Sequence, residues 1–202
     1  MEIETPDGIR SGSSVIEDAL WSERVVGRGL TGQHKVTGDA IFVDLGHGRN
    51  VIATFGYGPF ADQPRFHELA FKVLGLKGGP TDWPKPQQMR GKFDVPAVEM
   101  PTLVTFSDIN DPLSAKVVFT SDFAARSDGP RIVAVDALAA TFGQGHRLHR
   151  AWIEPTRDPV KLEIHDRLPW LMRLAEVERA RGVIGQAGRL SVNTLLFRGA
   201  DR

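Results

Sequence analysis

Apolar and polar positions alternate over residues 2–5, and the turn signal Pro6-Asp7-Gly8 follows. This pattern predicts a hairpin with a first strand of only four residues. A start assigned too late, a trimmed chain and a naturally short edge strand each account for that length. Residues 9–20 read as a strand bent or bulged at Gly12. After a Gly-rich stretch over 24–32, residues 35–45 form a long strand candidate. The turn Gly46-His47-Gly48 leads to a return strand over 50–55, so the pair predicts a hairpin.

The period changes at residues 65–76. Phe66, Leu69, Ala70, Val73 and Leu74 fall at helical spacing, with Gly75 as the stop. Residues 77–101 are rich in Pro and Gly and predict a long loop, a class that in compact domains tends to be functional or mobile. A short strand over 102–106 and a turn over 107–112 come next. Two strands, 115–119 and 132–135, are then separated by a polar segment. Asp136 caps a short helix over 137–142 that Gly143 ends. Residues 146–154 are β-like. Asp158-Pro159 places a cap residue before a proline and predicts a helix running to about residue 168. A second helical stretch, 171–181, and a final strand, 190–197, close the chain.

Strands first, then a helix, more strands and more helices suit an α+β fold better than regular βαβ alternation. The expectation is a mainly antiparallel sheet, as a sandwich or partly open barrel, with two to four helices in a single domain over 1–202.

Composition narrows the function classes. The chain of 202 residues has no cysteine, which excludes disulfides, thiolate metal sites and thiol catalysis. Lys+Arg and Asp+Glu both number 25, so the net charge is zero and nucleic acid is an unfavoured partner. The charge is uneven: residues 1–23 hold six acids against one Arg, and residues 146–202 hold eleven Lys+Arg against seven acids. That imbalance is too weak to name a partner. No run of about 18 apolar residues marks a transmembrane helix, and no signal-peptide pattern opens the chain.

Several motifs invite a chemical reading. Gly27-Arg28-Gly29-Leu30-Thr31-Gly32 matches G-x-G-x-x-G, but a strand follows where a dinucleotide site needs a helix. It reads as a Gly-rich strand connection, and no cofactor is implied. Ser13 lies in a hydroxyl-rich stretch without the spacing of a nucleophile elbow. His146 and His149 would share a helical face as metal ligands, but on a strand they point to opposite sides. They read as surface residues on a basic stretch, and no metal site is implied. His47 lies in a Gly-flanked turn and can titrate near neutrality. Asp108 and Asp111 bracket a turn and suit backbone hydrogen bonding better than Ca²⁺. Asp158 reads as a helix cap, with Glu163 and Asp166 on a solvated face. Trp83, among prolines, either lines a groove or pins the loop to the core. The catalytic candidates are therefore Ser13, His47, Asp108 and His149, none of them in a complete catalytic set.

Residues 4–17 (Glu4-Thr5-Pro6-Asp7-Gly8 through Val15-Ile16-Glu17), Phe42-Val43-Asp44-Leu45-Gly46, residues 101–108 with Asp111-Pro112, residues 138–143 and Leu168-Pro169-Trp170-Leu171 together resemble a family of uncharacterised proteobacterial proteins. The resemblance spreads over nearly the whole chain and carries no catalytic residue with it. Relatives often bear a hydrophobic N-terminal segment, which implies an envelope anchor that this chain lacks. Residues 119–131 look like an insertion relative to the family pattern.

Three readings follow. The first is a non-enzymatic envelope-associated or accessory binding domain, whose partner is another protein or the cell envelope. The second is a hydrolase-like enzyme with a pocket lined by the 77–101 loop together with residues 11–14, 47 and 108–111. The third is a phage- or plasmid-borne inhibitor acting through surface contacts. As it stands the chain reads as cytoplasmic; an upstream anchor would make it periplasmic or membrane-anchored.

Overall fold

The computed structural model describes residues 1–25, 29–61, 63, 65–77, 80–126 and 129–173. The chain opens with the hairpin β1 (Glu2–Thr5) and β2 (Gly8–Ser11), then a second hairpin, β3 (Glu17–Val25) and β4 (Gly29–Thr37). A third hairpin pairs β5 (Ile41–Gly46) with β6 (Arg49–Ala53). Helix α1 (Phe66–Val73) follows, and the long loop after it holds only two 3-10 turns and the two-residue strand β7 (Phe93–Asp94). Next come β8 (Leu103–Phe106), β9 (Ala115–Arg126), β10 (Gly129–Asp136) and α2 (Leu138–Phe142). The described part ends with β11 (Arg147–Arg150), β12 (Trp152–Ile153), α3 (Ile164–Arg167) and a 3-10 segment, Pro169–Arg173.

The fold is α+β, and every strand ladder among the described residues is antiparallel. A five-stranded sheet in the order β10-β9-β8-β6-β5 forms the centre, beside a three-stranded sheet β11-β1-β2 and two two-stranded sheets, and none closes into a barrel. In β8 all four residues are buried, and in β6 four of five are, so these middle strands are covered on both faces. Ile52, Val104 and Phe106 pack with Ile164, Leu168, Trp170 and Leu171. Val51, Leu103 and Val43 pack with Ile3 of β1, Leu138 of α2 and Ala151.

Between β6 and β8 the backbone ladder holds only two residue pairs, Ile52↔Val104 and Ala53↔Leu103. Buried Asn50 extends it with its side chain: its amide donates to the Phe106 carbonyl (3.0 Å) and its Oδ1 accepts from the Phe106 N–H (3.0 Å). An orphaned buried backbone group costs about 1–3 kcal/mol, so this one side chain satisfies two groups that the ladder leaves open.

Several sequence expectations change in the structure. The first strand is short, but it is the central strand of its sheet, paired to β2 on one side and β11 on the other. The bend after β2 is a true break at Gly12, where a Cβ would sit 2.1 Å from the Phe42 carbonyl oxygen, so only glycine fits there. The long strand expected over 35–45 is two strands. Gly38, at φ +149° and with a would-be Cβ 2.9 Å from the Val15 carbonyl, breaks it. The strands expected at 115–119 and 132–135 extend through the polar segment between them and pair from Phe119↔Asp136 to Arg126↔Gly129.

The helix expected from Asp158 is reduced to the four residues of α3, because the carboxylate that caps it comes from Asp39. Asp39 Oδ2 accepts from the backbone N–H of Glu163 and, at 2.7 Å, from that of Ile164. Asp158 is exposed, and among the described residues its one hydrogen bond is from its own N–H to Thr156 Oγ1. The helix start over 171 continues the 3-10 segment to Arg173; the rest of that stretch and the strand at 190–197 lie outside the described residues.

Asp39 is buried and bonds two helix-terminal N–H groups across 124 residues of sequence, so Asp39→Ala should destabilise by about 2 kcal/mol. Asp158→Ala should change stability by less than about 0.5 kcal/mol. Urea unfolding of the two variants separates these expectations, since a cap at Asp158 would reverse the order.

Candidate functional site

An open cleft of ≈ 430 Å³ lies between β4, α1 and the chain leaving α1. Its walls follow from local sequence. The β3–β4 register sets Leu20 opposite His34 and Asp18 opposite Val36. Since strand residues two apart share a face, Asp18, Leu20, Gly32, His34 and Val36 lie on one side of the hairpin. In α1, Glu68 and Lys72 are one turn apart, and His67 and Phe71 likewise, which brings an imidazole and a buried ring to the cleft together.

The helix ends in a Schellman motif: the Leu76 N–H donates to the Phe71 carbonyl (2.7 Å) and that of Gly75 to the Lys72 carbonyl (3.2 Å). This directs Leu76 and Lys77 along the rim. Buried Asp82 then fastens the loop, accepting from the Lys77 N–H (2.8 Å) and from Lys85 Nζ (2.5 Å). The loop thereby sets Trp83 against the hairpin, with its ring 3.5 Å from where a Cβ on Gly32 would lie. Trp83 both packs on the hairpin and walls the groove.

The His34 and His67 rings stack across the cleft, with centroids 3.9 Å apart and planes 20° from parallel. Burial holds the His67 pKa below its usual value; His34 and Lys72 push it the same way, and Glu68 opposes them. Asp18 on the same hairpin face is pushed up to about 6 by burial, with His34 counteracting. One of its oxygens, Oδ1, is buried with no hydrogen-bond partner. Lys72 joins Glu68 (3.0 Å) to Glu99 (3.2 Å), and the hydrogen bond from Lys72 is the main reason the Glu68 carboxyl titrates below its usual range.

The residues singled out from sequence lie elsewhere. Ser13 is exposed in the link after β2. His47, at φ +55°, is exposed in the β5–β6 turn. Asp108 is exposed in the turn after β8, where its Oδ1 accepts from the Asn110 N–H (2.9 Å), and Asp111 does the same for Leu113 (3.0 Å). His149 is exposed on β11, 3.6 Å from Glu4 and 4.0 Å from Glu2. No hydrogen bond or ion pair joins any two of the four.

His146 lies just before β11, and it is not a surface residue. It is buried, its Nδ1 faces the Gly143 carbonyl (3.0 Å) and its Nε2 faces Arg49 (3.5 Å), a pairing that assigns the proton to Nδ1. Gly29 to Gly32 lie in β4 of a hairpin, not at a helix start, and Gly27 and Arg28 lie outside the described residues. Among the described residues no group of three or more His, Asp or Glu is placed to hold a metal ion, and no helix is long and apolar enough to cross a membrane.

His34 and His67 were not among the candidates, because no motif links residues 33 positions apart. The available signal was indirect: His67 lies one turn before Phe71 on the apolar phase of a well-formed helix. Comparison with protein-family models, curated proteins and solved structures finds no match to the chain.

Charged Asp18 is desolvated at neutral pH, so the sign of its effect on stability is fixed. Its contribution is fully present below the ordinary Asp value, 3.8, and is lost as pH rises through about 6. Asp18→Asn, which cannot ionise, should therefore flatten the fall in stability between pH 4 and 7. Urea midpoints across that range check this, and an unchanged slope would contradict it.

Proposed function

We propose that the chain is a non-enzymatic accessory binding protein whose binding face is the cleft between the β3–β4 hairpin and α1. The observation that carries this reading is the make-up of that cleft. Apolar side chains (Leu20, Phe71, Leu76 and Trp83) line an open groove ringed by His34, His67, Glu68, Lys72 and Lys77. Predominantly apolar walls with a few polar groups at the edge are the usual form of a binding site. The dispersal of Ser13, His47, Asp108 and His149 adds support, because nucleophile, base and orienting group must lie within hydrogen-bond reach of one another to act together. Association with the cell envelope is part of the proposal and rests on the family resemblance alone.

One observation favours a second reading, a hydrolase-like enzyme. The cleft is partly walled by the 77–101 loop, through Lys77 and Trp83, and it holds two imidazoles, one of which, His34, interacts with the Asp18 carboxyl that burial pushes up to about 6. Perturbed groups in a cleft are a recognised mark of catalytic sites.

A photo-cross-linking residue at position 76, on the rim of the cleft, tests the proposal in cells expressing the chain. Adducts should form from position 76 in the envelope fraction and not from exposed Val135. The purified protein should leave ester, phosphoester and peptide panels at the buffer rate. Adducts confined to the soluble fraction would remove the envelope assignment. Saturable turnover lost in His34→Phe would establish the enzyme reading instead.

A further inference from the structure

The cleft combines two features that select a particular ligand chemistry. The first is its apolar floor, to which Leu20, Phe71 and Leu76 contribute, with the Trp83 ring alongside. The second is a set of charges whose balance changes sign with protonation. Lys72 on α1 is paired with both Glu68 and Glu99, which leaves one carboxylate charge over, and Arg65 lies over the Tyr57 ring, 5.1 Å from its centroid. On the loop, Asp82 is paired with Lys85. On the hairpin, Asp18 is the acid near His34. The Lys77 ammonium has no ion-pair partner among the described residues. With both imidazoles neutral and Asp18 ionised, these groups offer an anion little net attraction. With both imidazoles protonated and Asp18 neutral, the same groups set two imidazolium charges and Lys77 against the one carboxylate charge left over by Lys72.

Two protonated imidazoles stacked at 3.9 Å repel each other strongly, so the doubly charged pair needs an anion beside it. We propose that the cleft is a proton-coupled site for an amphiphilic oxyanion, its hydrocarbon body on the apolar floor and its acidic head group facing the His34–His67 pair and Lys77. This inference rests on the cleft being the binding face and names what it binds. Burial and His34 hold His67 below its usual pKa, and burial holds Asp18 up near 6, so both groups act in the same direction. Acidification neutralises Asp18 and favours the charged form of His67, and a bound anion draws that proton on. An upward shift of one unit in a single imidazole is a tenfold preference for the protonated form.

Octyl sulfate below its micellar concentration is a suitable probe, since its head group stays ionised throughout the range. Isothermal titration of the full chain should show at least ~10-fold tighter binding at pH 5.5 than at pH 7.5. Neutral 1-octanol should bind more weakly and equally at both. His67→Phe retains a ring for stacking and should lower the pH ratio, because it removes one of the two imidazoles. The triple variant Asp18→Asn/His34→Phe/His67→Phe should bring the ratio to near one. His67→Gln repeats the test if the phenylalanine variant does not fold. Lys77→Gln should weaken binding at both pH values alike.

Equal affinity at both pH values, equal binding of octanol, or a pH ratio that survives the triple variant would overturn the inference. Binding to anionic phospholipid vesicles without binding of monomeric octyl sulfate would also overturn it and point to a membrane surface instead. Failure of every probe alongside position-76 adducts would remove the ligand class and leave the binding reading standing. Octyl sulfate binding without such adducts would do the reverse.

Discussion

The structure depends on burying β6 and β8 on both faces. Two packed layers require that Val51, Ile52, Leu103 and Val104 all leave water, and burying each such side chain contributes about 1.5–3 kcal/mol. The condition is that no backbone group between the strands goes unpaired. Asn50 meets it where the ladder stops, through its two hydrogen bonds to Phe106. The remaining layers are covers for this pair of strands. The β11-β1-β2 sheet and α2 lie on one side, and the segment over 164–171, held by the Asp39 carboxylate, lies on the other.

The cleft stands apart from those layers. Its hairpin is a two-stranded sheet with no third strand among the described residues, and it meets the rest of the protein at α1. Charged and titratable groups can gather there because water still reaches them. Lys72 and Glu68 are each more than a third exposed, and pairs of that kind contribute little to stability. Asp18 and His67 are the exceptions, each carrying a desolvation cost that nothing in the core repays. Residues kept at such a cost suit a role in recognition better than one in holding the fold together.

The parts of the fold legible in the sequence were those governed by neighbouring residues. The spacing of Phe66, Leu69 and Val73 located α1, Gly75 ended it, and Asp136 accepts from the Leu138 N–H as its position before α2 suggested (2.8 Å). The parts that were not legible depend on distant chain. Asp158-Pro159 has the local chemistry of a helix start, yet the two N–H groups at the start of α3 are taken by Asp39, which no local pattern could announce. The segment 120–131 looked polar and therefore like a loop, but ladder hydrogen bonds use the backbone and tolerate polar side chains. The candidate site shows the same limit. His47 and Asp108 were conspicuous because turns flank them, while His34 and His67 meet only after a hairpin and a helix have packed.

The central place of β1 bears on how the chain acquires its structure. Its partner on one side, β2, is available at once. Its partner on the other, β11, is separated from it by more than 140 residues, as the Glu4 to Arg147 contact records. Closing a loop of that length costs entropy before any contact repays it. During synthesis the β1–β2 hairpin emerges before β11 and must wait, with Ile3 uncovered and one strand edge open, until the residues between them have followed. The acidic character of the first 23 residues has a use in that interval, since like charges on neighbouring nascent chains discourage the strand pairing that an open edge invites.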